Sequence, residues 1–364
     1  MATQPLASVL VIGGCGFLGY EVVCQLTKEP DCIVSVLSRN PREPRVDGVF
    51  YYACDVTNIE SLRALLRRIQ PQIVIHTASP ASFQDKVDKT FLHKVNVIGT
   101  RNLLEIARET RSIRALVFTS SSSIHVRSSR AFLREDAPKV DRSTTTDEYA
   151  ITKAIADTMV LEANCPELRT LCLRPAAIYG ERDTQLVPGS LEILRKKRTH
   201  IQLGDNKNLF DSIYVGNAAS AHIMAARALL RTREASEKLD GEAFFITDDA
   251  PIPFWDFQRK IWAAAGDRTP LTQVRVIPPW IVMMMAALVE YLFWFFTFAQ
   301  IRPPKNFRRD ILKYAFTDFT HCINKAKERL GYKPFVSIDE GVRRSVKWTL
   351  QHQARRKAAI SKSA

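Results

Sequence analysis

No pair of cysteines in this chain has the C-x-x-C spacing of a zinc or redox site. The seven cysteines, at 15, 24, 32, 54, 165, 172 and 322, are odd in number and scattered, which argues against a disulfide framework and for a reducing compartment. Cys15 sits among glycines and reads as a small filler rather than a reactive thiol. No charged leader precedes the first apolar run, Val9–Ile12, and the run passes straight into glycines, so a signal peptide is not expected. Internal repeats are lacking too, as is the interleaving of aromatic and basic residues that marks an RNA-binding surface. A metal centre and a nucleic-acid partner are therefore not expected. The net charge of +14 still calls for an anionic partner, either a membrane surface or a ligand. Much of the excess lies late, in Arg302, Lys305, Arg308, Arg309 and Lys313, and again in Arg355, Arg356 and Lys357.

What is present is ordinary in bulk. Hydrophobic residues make up 46% and charged residues 25%, enough for a sizeable core. The 364 residues suit one large α/β unit with a lobe. Apolar runs alternate with helical periodicity through the first half. Strands are expected at Val9–Ile12, Ile33–Leu37, Phe50–Cys54, Ile73–Ile75, Ala115–Thr119 and Leu171–Leu173. Helices are expected at Gly16–Lys28, Ile59–Ile69, Asn96–Arg108 and Glu148–Ala163. Strands apolar on both faces, alternating with helices, imply an α/β fold with a doubly wound parallel sheet. After about residue 180 the pattern loosens. Helical stretches near 187–197 and 215–231, and a strand at Ala243–Ile246, remain legible. The organisation expected is a dinucleotide-binding domain over 1–180, to which elements of 211–247 return. A smaller substrate lobe follows over 181–350, then a basic, frayed tail over 351–364.

Gly13-Gly14-Cys15-Gly16-Phe17-Leu18-Gly19 follows the first strand and opens the first helix. Glycines at that spacing let the backbone turn and its amides approach a pyrophosphate, which the helix N-terminus then faces. The strand-before, helix-after context makes this a dinucleotide fold of Rossmann type. An acidic residue at the end of the second strand would hold the ribose 2′-hydroxyl of NAD. The chain reads Val36-Leu37-Ser38-Arg39 there, without a carboxylate. Ser38 and Arg39, with help from Arg42, suit the 2′-phosphate of NADP; the plainer reading is a solvated arginine in an enzyme that accepts NAD as well. Asp55 is a candidate for the adenine amino group, or simply a turn aspartate.

Tyr149 and Lys153 are four apart on a helix and share a face. A free phenol, with a pKa of about 10, is too weakly acidic to serve as a base at neutral pH. A nearby ammonium and an oxidised nicotinamide stabilise the phenolate, so that it can take the proton of a substrate alcohol while hydride leaves. The run Thr119-Ser120-Ser121-Ser122-Ser123 lies at the carboxyl end of the sheet, where ligands bind, and offers hydroxyls to the substrate oxygen.

These residues resemble the extended short-chain dehydrogenase/reductase family, in its 3β-hydroxysteroid dehydrogenase branch. Within it the chain most resembles the fungal sterol-4-alpha-carboxylate 3-dehydrogenases (decarboxylating). The matching stretches are VIGGCGFLG at 11–19, HTASP at 76–80, VNVIGTRNLLE at 95–105, VFTSSSS at 117–123, YAITK at 149–153, LRPAAIYG at 173–180, GEAFFITDDAPIPFWDF at 241–257 and RLGYKP at 329–334. The resemblance implies Tyr149 as general base with Lys153 as its partner. It implies Ser121, with Ser122 as fallback, as the serine that holds the substrate oxygen. Asn96 matches the helix asparagine that supports a proton-relay water, or else is a helix N-cap. The cofactor set it implies is Gly13, Gly16, Phe17, Leu18, Gly19, Ser38, Arg39, Asp55, Val56, Ala78, Lys153 and Pro175. Many members carry an acidic residue where Ser38 stands, which puts NAD use in question and favours NADP. The implied reaction is oxidation of the 3-hydroxyl of a sterol or polycyclic terpenoid, with loss of a 4-carboxylate as carbon dioxide where there is one. Arg174 and Arg182 are candidates to pair with that carboxylate. A homodimer is left open. The alternatives are a nucleotide-sugar epimerase or dehydratase and a non-catalytic NADP-sensing protein of the same fold.

Ile281–Ala299 is an apolar helix of 19 residues with one charge, Glu290. That is long enough to span a bilayer, but a central glutamate costs roughly 2–3 kcal/mol or more there. Ala286, Ala287, Glu290 and Thr297 form a less apolar stripe; Met284, Leu288, Tyr291, Leu292, Phe295 and Phe296 lie opposite. A helix lying in the membrane interface or dipping into one leaflet is expected, with the basic group at 302–313 on anionic headgroups. The alternative is a helix buried over the substrate pocket. An apolar substrate and a membrane helix point together to the endoplasmic reticulum membrane, with the catalytic part in the cytosol.

Overall fold

Apolar runs become the strands of one parallel sheet in the structure, a computed structural model that describes residues 6–41, 45–80, 88–126, 132–231, 237–298, 300, 303–304, 308–312 and 316–363. In chain order the strands are β1 (Ser8–Ile12), β2 (Ile33–Ser38), β3 (Phe50–Ala53), β4 (Ile73–His76), β5 (Ala115–Thr119), β6 (Arg169–Pro175), β7 (Ala177–Tyr179), β8 (Ile201–Leu203), β9 (Leu209–Phe210), β10 (Ser212–Tyr214), β11 (Glu242–Ile246), β12 (Ile252–Pro253) and β13 (Arg275–Ile277). The α-helices are α1 (Phe17–Leu26), α2 (Ile59–Ile69), α3 (Lys89–His93), α4 (Gly99–Glu109), α5 (Glu148–Glu162), α6 (Leu186–Arg195), α7 (Val215–Leu230), α8 (Phe254–Ala264), α9 (Pro279–Phe296), α10 (Arg309–Leu312) and α11 (Ile338–Ser363).

Seven strands make the main sheet, in the order β11-β6-β5-β4-β1-β2-β3. All its neighbours run parallel. Strand alternation sends side chains to two cores. Val9 and Val11 of β1 face Val22 of α1 and the alanines of α7. Leu10 and Ile12 face Leu62 and Leu66 of α2, Leu103 of α4 and Val160 of α5. The sheet is thus covered on both faces. Strand order reverses between β1 and β4, and the crevice beyond their carboxyl ends is where such folds hold ligands.

Within 211–247, α7 covers the sheet and β11 pairs with β6. Ile338, Val342 and Val346 of α11 belong to the same core, as do Phe257 and Ile261 of α8. Three further strand pairs, β7 with β10, β8 with β13 and β9 with β12, form separate two-stranded sheets. They are two or three residues long, too short for a periodic signal.

Two local expectations change, and one alternative falls. The helix expected to begin at Asn96 begins at Lys89, capped by Asp88, and passes through a π-turn at Lys94–Ile98 into α4. The residues after Leu350, expected as a frayed tail, continue α11. They are rich in Ala, Arg, Lys and Gln, which are good helix formers, and the helix is already anchored in the core at its start. The apolar helix, α9, is not buried over a pocket. Val282 and Ala286 are its buried residues, while Trp280, Met284, Met285, Leu288, Tyr291, Leu292, Trp294, Phe295 and Phe296 are exposed. Glu290 is ion-paired: it accepts from the backbone N–H of Arg309 at 2.9 Å and from its Nε at 2.6 Å. Arg302, Lys305 and Lys313 of the basic group, and Arg42, lie outside the described residues.

Val346 is 1% exposed, whereas side chains 351–356 lie on the surface. Val346→Ala should lower the free energy of unfolding in urea by about 2 kcal/mol. Ending the chain at residue 350 should lower it by less than about 1 kcal/mol. Equal losses would place the anchor of α11 elsewhere.

Candidate active site

The first turn after β1 is built so that only glycine fits. Gly13 has φ +86, and a Cβ there would stand 2.8 Å from both the Cα and the N of Ala78. A Cβ on Gly19 would stand 2.2 Å from the carbonyl oxygen of Gly13. Strand β1, helix α1 and the end of β4 therefore meet backbone to backbone. Gly16 is the N-cap of α1 and contributes no side-chain cap, so the N–H groups of the first turn, through Phe17 and Leu18, are left to a ligand. No acidic residue stands in that turn. The residues fit a dinucleotide diphosphate, an anion held by amides at a helix N-terminus.

Helix α5 presents the reactive side chains. Asp147 caps it, accepting from Tyr149 N at 3.1 Å, so Tyr149 lies in the first turn and Lys153 one turn later. Ser121 lies beside the Tyr149 hydroxyl, close enough for its side chain to lower the phenol's pKa. Ser121 Oγ is also 2.8 Å from Ser123 Oγ. Ser122 is buried in the short turn below, which leaves Ser121 as the serine facing the tyrosine. Lys153 is 2% exposed and donates to the carbonyl oxygen of Thr119 at 2.5 Å. Its Nζ stands 4.3 Å from the centre of the Phe118 ring. Asn96 is not an N-cap. It sits in the π-turn, donates to Thr152 Oγ1 on α5 at 3.0 Å and accepts from Ser79 Oγ at 3.0 Å. The turn is wider than an α-turn and aims Asn96 at α5; such turns cluster at functional sites.

Electrostatics here differ from the simplest reading of a lysine lowering a tyrosine. Burial pushes the Tyr149 phenol up to about 12, and Ser121 only partly offsets it. Burial lowers Lys153 to about 8. Two histidines beside it are neutral. Burial, then the charge of Lys153, holds His76 down to about 3. Burial likewise brings His222 to about 4. His222 Nδ1 donates to Ala218 O at 2.7 Å, so its Nε2 accepts the Thr119 hydroxyl at 2.8 Å. One threonine thus carries the lysine on its carbonyl and a histidine on its hydroxyl.

The remaining expected residues lie as follows. Ser38 ends β2, and the exposed Arg39 stacks over the Phe91 ring, 4.9 Å from its centre. Asp55 accepts from Thr57 N at 2.9 Å, as a turn aspartate does. Val56 is buried against Gly99 at the end of the π-turn. Ala78 abuts Gly13, and Pro175 is the buried last residue of β6. Arg174 does not face a ligand: it is 2% exposed and gives two hydrogen bonds to Asp157. A guanidinium in a strand buried on both faces needs an internal carboxylate. Arg182 stacks on Tyr20 of α1, 3.8 Å from the ring centre. Arg174 is thus not free for a substrate carboxylate. Sequence reading missed Ser79, Thr152 and Asp157. Asp157 had a signal, four residues beyond Lys153 on the same helix face.

Residues 10–275 match the model of the 3-beta hydroxysteroid dehydrogenase/isomerase family. The chain is 34% identical to the sterol-4-alpha-carboxylate 3-dehydrogenase, decarboxylating, of Schizosaccharomyces pombe, covering 95% of this chain and 98% of that one. It is 33% identical to the mouse (Mus musculus) protein of that name, covering 92% and 89%. Among solved structures, the UDP-glucose 4-epimerase of Thermus thermophilus, in complex with NAD, superposes with a TM-score of 0.68 at 22% identity over 94% of this chain and 98% of its own. That likeness shows the fold.

Lys153 titrates near 8 in the folded chain against 10.5 unfolded, so burying it charged costs stability in full below pH 8, and the cost fades as pH rises toward 10.5. Lys153→Met removes that cost. Urea unfolding at pH 7 and at pH 10 should show the variant's stability relative to the parent falling by about 2 kcal/mol between the two. A pH-independent difference would mean that Lys153 is not a buried cation.

Proposed function

The chain belongs to the 3-beta hydroxysteroid dehydrogenase/isomerase family, and we propose that it oxidises the 3-hydroxyl of a sterol or polycyclic terpenoid to a ketone, releasing a 4-carboxylate as carbon dioxide where the substrate bears one. The observation that carries this reading is Ser121 beside the Tyr149 hydroxyl, with Lys153 one turn away on the same helix. The sterol enzymes reported above support the substrate class.

Gly13, Gly16 and Gly19 with the first turn of α1 would hold the diphosphate, and Ala78 and Pro175 the parts nearer the reacting centre. When bound, the oxidised nicotinamide supplies the hydride acceptor and a positive charge. Ser121 holds the substrate oxygen by its hydroxyl. Tyr149 takes the alcohol proton at its oxygen. The Lys153 ammonium stabilises the phenolate that accepts this proton, working against the burial that raises the free phenol to about 12. After oxidation Tyr149 carries the proton, so both hydroxyls can donate to the ketone oxygen. That supports decarboxylation: the bond to the carboxyl carbon breaks, its electron pair moves to the ketone oxygen as an enolate, and the two donors stabilise the developing charge. Asn96, fixed between Ser79 and Thr152, is placed to hold a water on the proton path.

NADP is the cofactor we favour over NAD. Ser38 stands where a carboxylate would repel a 2′-phosphate, and Arg39 is stacked on Phe91 beside it. The sterol reading fits α9 as a membrane element. Its apolar face is exposed, and its one carboxylate is already paired with Arg309. The helix lies in the interface or dips into one leaflet, at the endoplasmic reticulum membrane with the catalytic part in the cytosol.

Purified protein with NADP, then NAD, should produce reduced cofactor from a 3β-hydroxysterol bearing a 4α-carboxylate, together with carbon dioxide. Tyr149→Phe should lower kcat by about 10²- to 10⁴-fold. Normal turnover by that variant would remove Tyr149 from the mechanism. Turnover of the plain alcohol without carbon dioxide would assign a simple terpenoid alcohol dehydrogenase. In a separate test, the protein should float with phospholipid vesicles, and the double variant Leu288→Glu, Phe295→Glu should not; flotation of both would exclude α9 as the anchor.

A further inference from the structure

Asp157 is wholly buried on the face of α5 that carries Lys153, one turn further on. It accepts from Arg174 Nε at 3.0 Å and Nη2 at 2.8 Å, and from Lys139 Nζ at 2.8 Å. Burial alone would raise its carboxyl, but Arg174 and then Lys139 bring it down to about 2. Arg174 in turn gives Nη1 to Glu135 O at 2.8 Å and to His125 Nε2 at 3.1 Å. His125 donates Nδ1 to Ala137 O at 2.8 Å, which fixes it as a neutral acceptor toward the guanidinium. The pair therefore joins three pieces of the site. Asp157 belongs to the helix of Tyr149 and Lys153, Arg174 precedes Pro175, and His125 ends the short turn that begins at Ser121.

We infer that the Asp157–Arg174 ion pair is the positioning element of the active site: it locks α5 to the end of β6 and to the Ser121 turn, and its carboxylate is the anion against which Lys153 holds its charge. This rests on the roles proposed above for Ser121, Tyr149 and Lys153. Among the described residues, the surroundings of Lys153 leave no other standing charge. His76 from β4 and His222 from α7 are neutral. Cys172 of β6 is kept a thiol by burial. The Thr119 carbonyl of β5 is a dipole and its Phe118 ring a quadrupole, and Tyr149 on the same helix is protonated. Arg174 and Lys139 screen the carboxylate from the other side, so altering them should tune Lys153 in the opposite sense.

The test combines Asp157→Asn, Arg174→Lys and Lys139→Met with Lys153→Met as the reporter of the lysine's titration. The pH at which the stability difference between each background and its Lys153→Met partner begins to narrow needs no substrate, so it stands or falls apart from the sterol reading. Asp157→Asn should lower that pH by about one unit, and Lys139→Met should raise it. The alkaline limb of the kcat profile should move in the same directions. Arg174→Lys should lower kcat at least about tenfold while changing the cofactor Kd less than about threefold. A folded Asp157→Asn variant with an unmoved onset and a kcat within about twofold of the parent would overturn the inference. Arg174→Lys losing cofactor affinity and kcat together would reduce the pair to a structural brace. If Asp157→Asn does not fold, Lys139→Met decides: an upward shift upholds the inference, and no shift or a downward one overturns it.

Discussion

The ammonium of Lys153 is almost entirely withdrawn from water, and its hydrogen bond goes to a main-chain carbonyl at 2.5 Å. A cation in that position costs several kcal/mol unless the interior is arranged for it. The arrangement is visible on every side: a carbonyl, an aromatic face, a buried carboxylate a helical turn away, and histidines kept neutral so that they add no repulsion. The folded chain holds this cation at the cost of stability, which makes sense where a phenol that burial drives upward must be made to ionise.

That constraint explains the order of the surrounding elements. The lysine must reach the end of β5 from α5, and Tyr149 must reach Ser121 in the turn that follows β5. Both requirements are met only if α5 packs tightly on the sheet, and its small buried residues, Ala150, Ala154 and Ala156, permit that approach. The glycine cradle poses the same demand at β1 and α1, where backbone meets backbone and a single methyl would not fit. Rigid polar chemistry on one side of the molecule contrasts with α9, whose aromatic and aliphatic side chains face outward.

The sheet was legible because its strands are apolar on both faces and lie between helices of clear period, as in Val9–Ile12 and Ala115–Thr119. The cradle and the Tyr149–Lys153 pair were legible because each depends on close spacing within one element. What depends on contacts between distant segments was not. The π-turn that turns Asn96 from a cap into a bridge to α5 leaves no periodic trace. Arg174 reads as a free cation in sequence, and only the fold brings Asp157 to it. Glu290 looks like an obstacle in an apolar helix until Arg309 is seen beside it. The strand pairs of the lobe are too short for any pattern.

The core on the α7 face of the sheet contains both Leu6 and Val346. A nascent chain emerging from the ribosome therefore cannot close that face until synthesis has passed Val346. The strands β1, β2, β4, β5 and β6 exist early, with one apolar surface awaiting partners from α7 and α11. For much of its synthesis this protein is a half-covered sheet, and its yield in a cell depends on how well that surface is shielded in the interval.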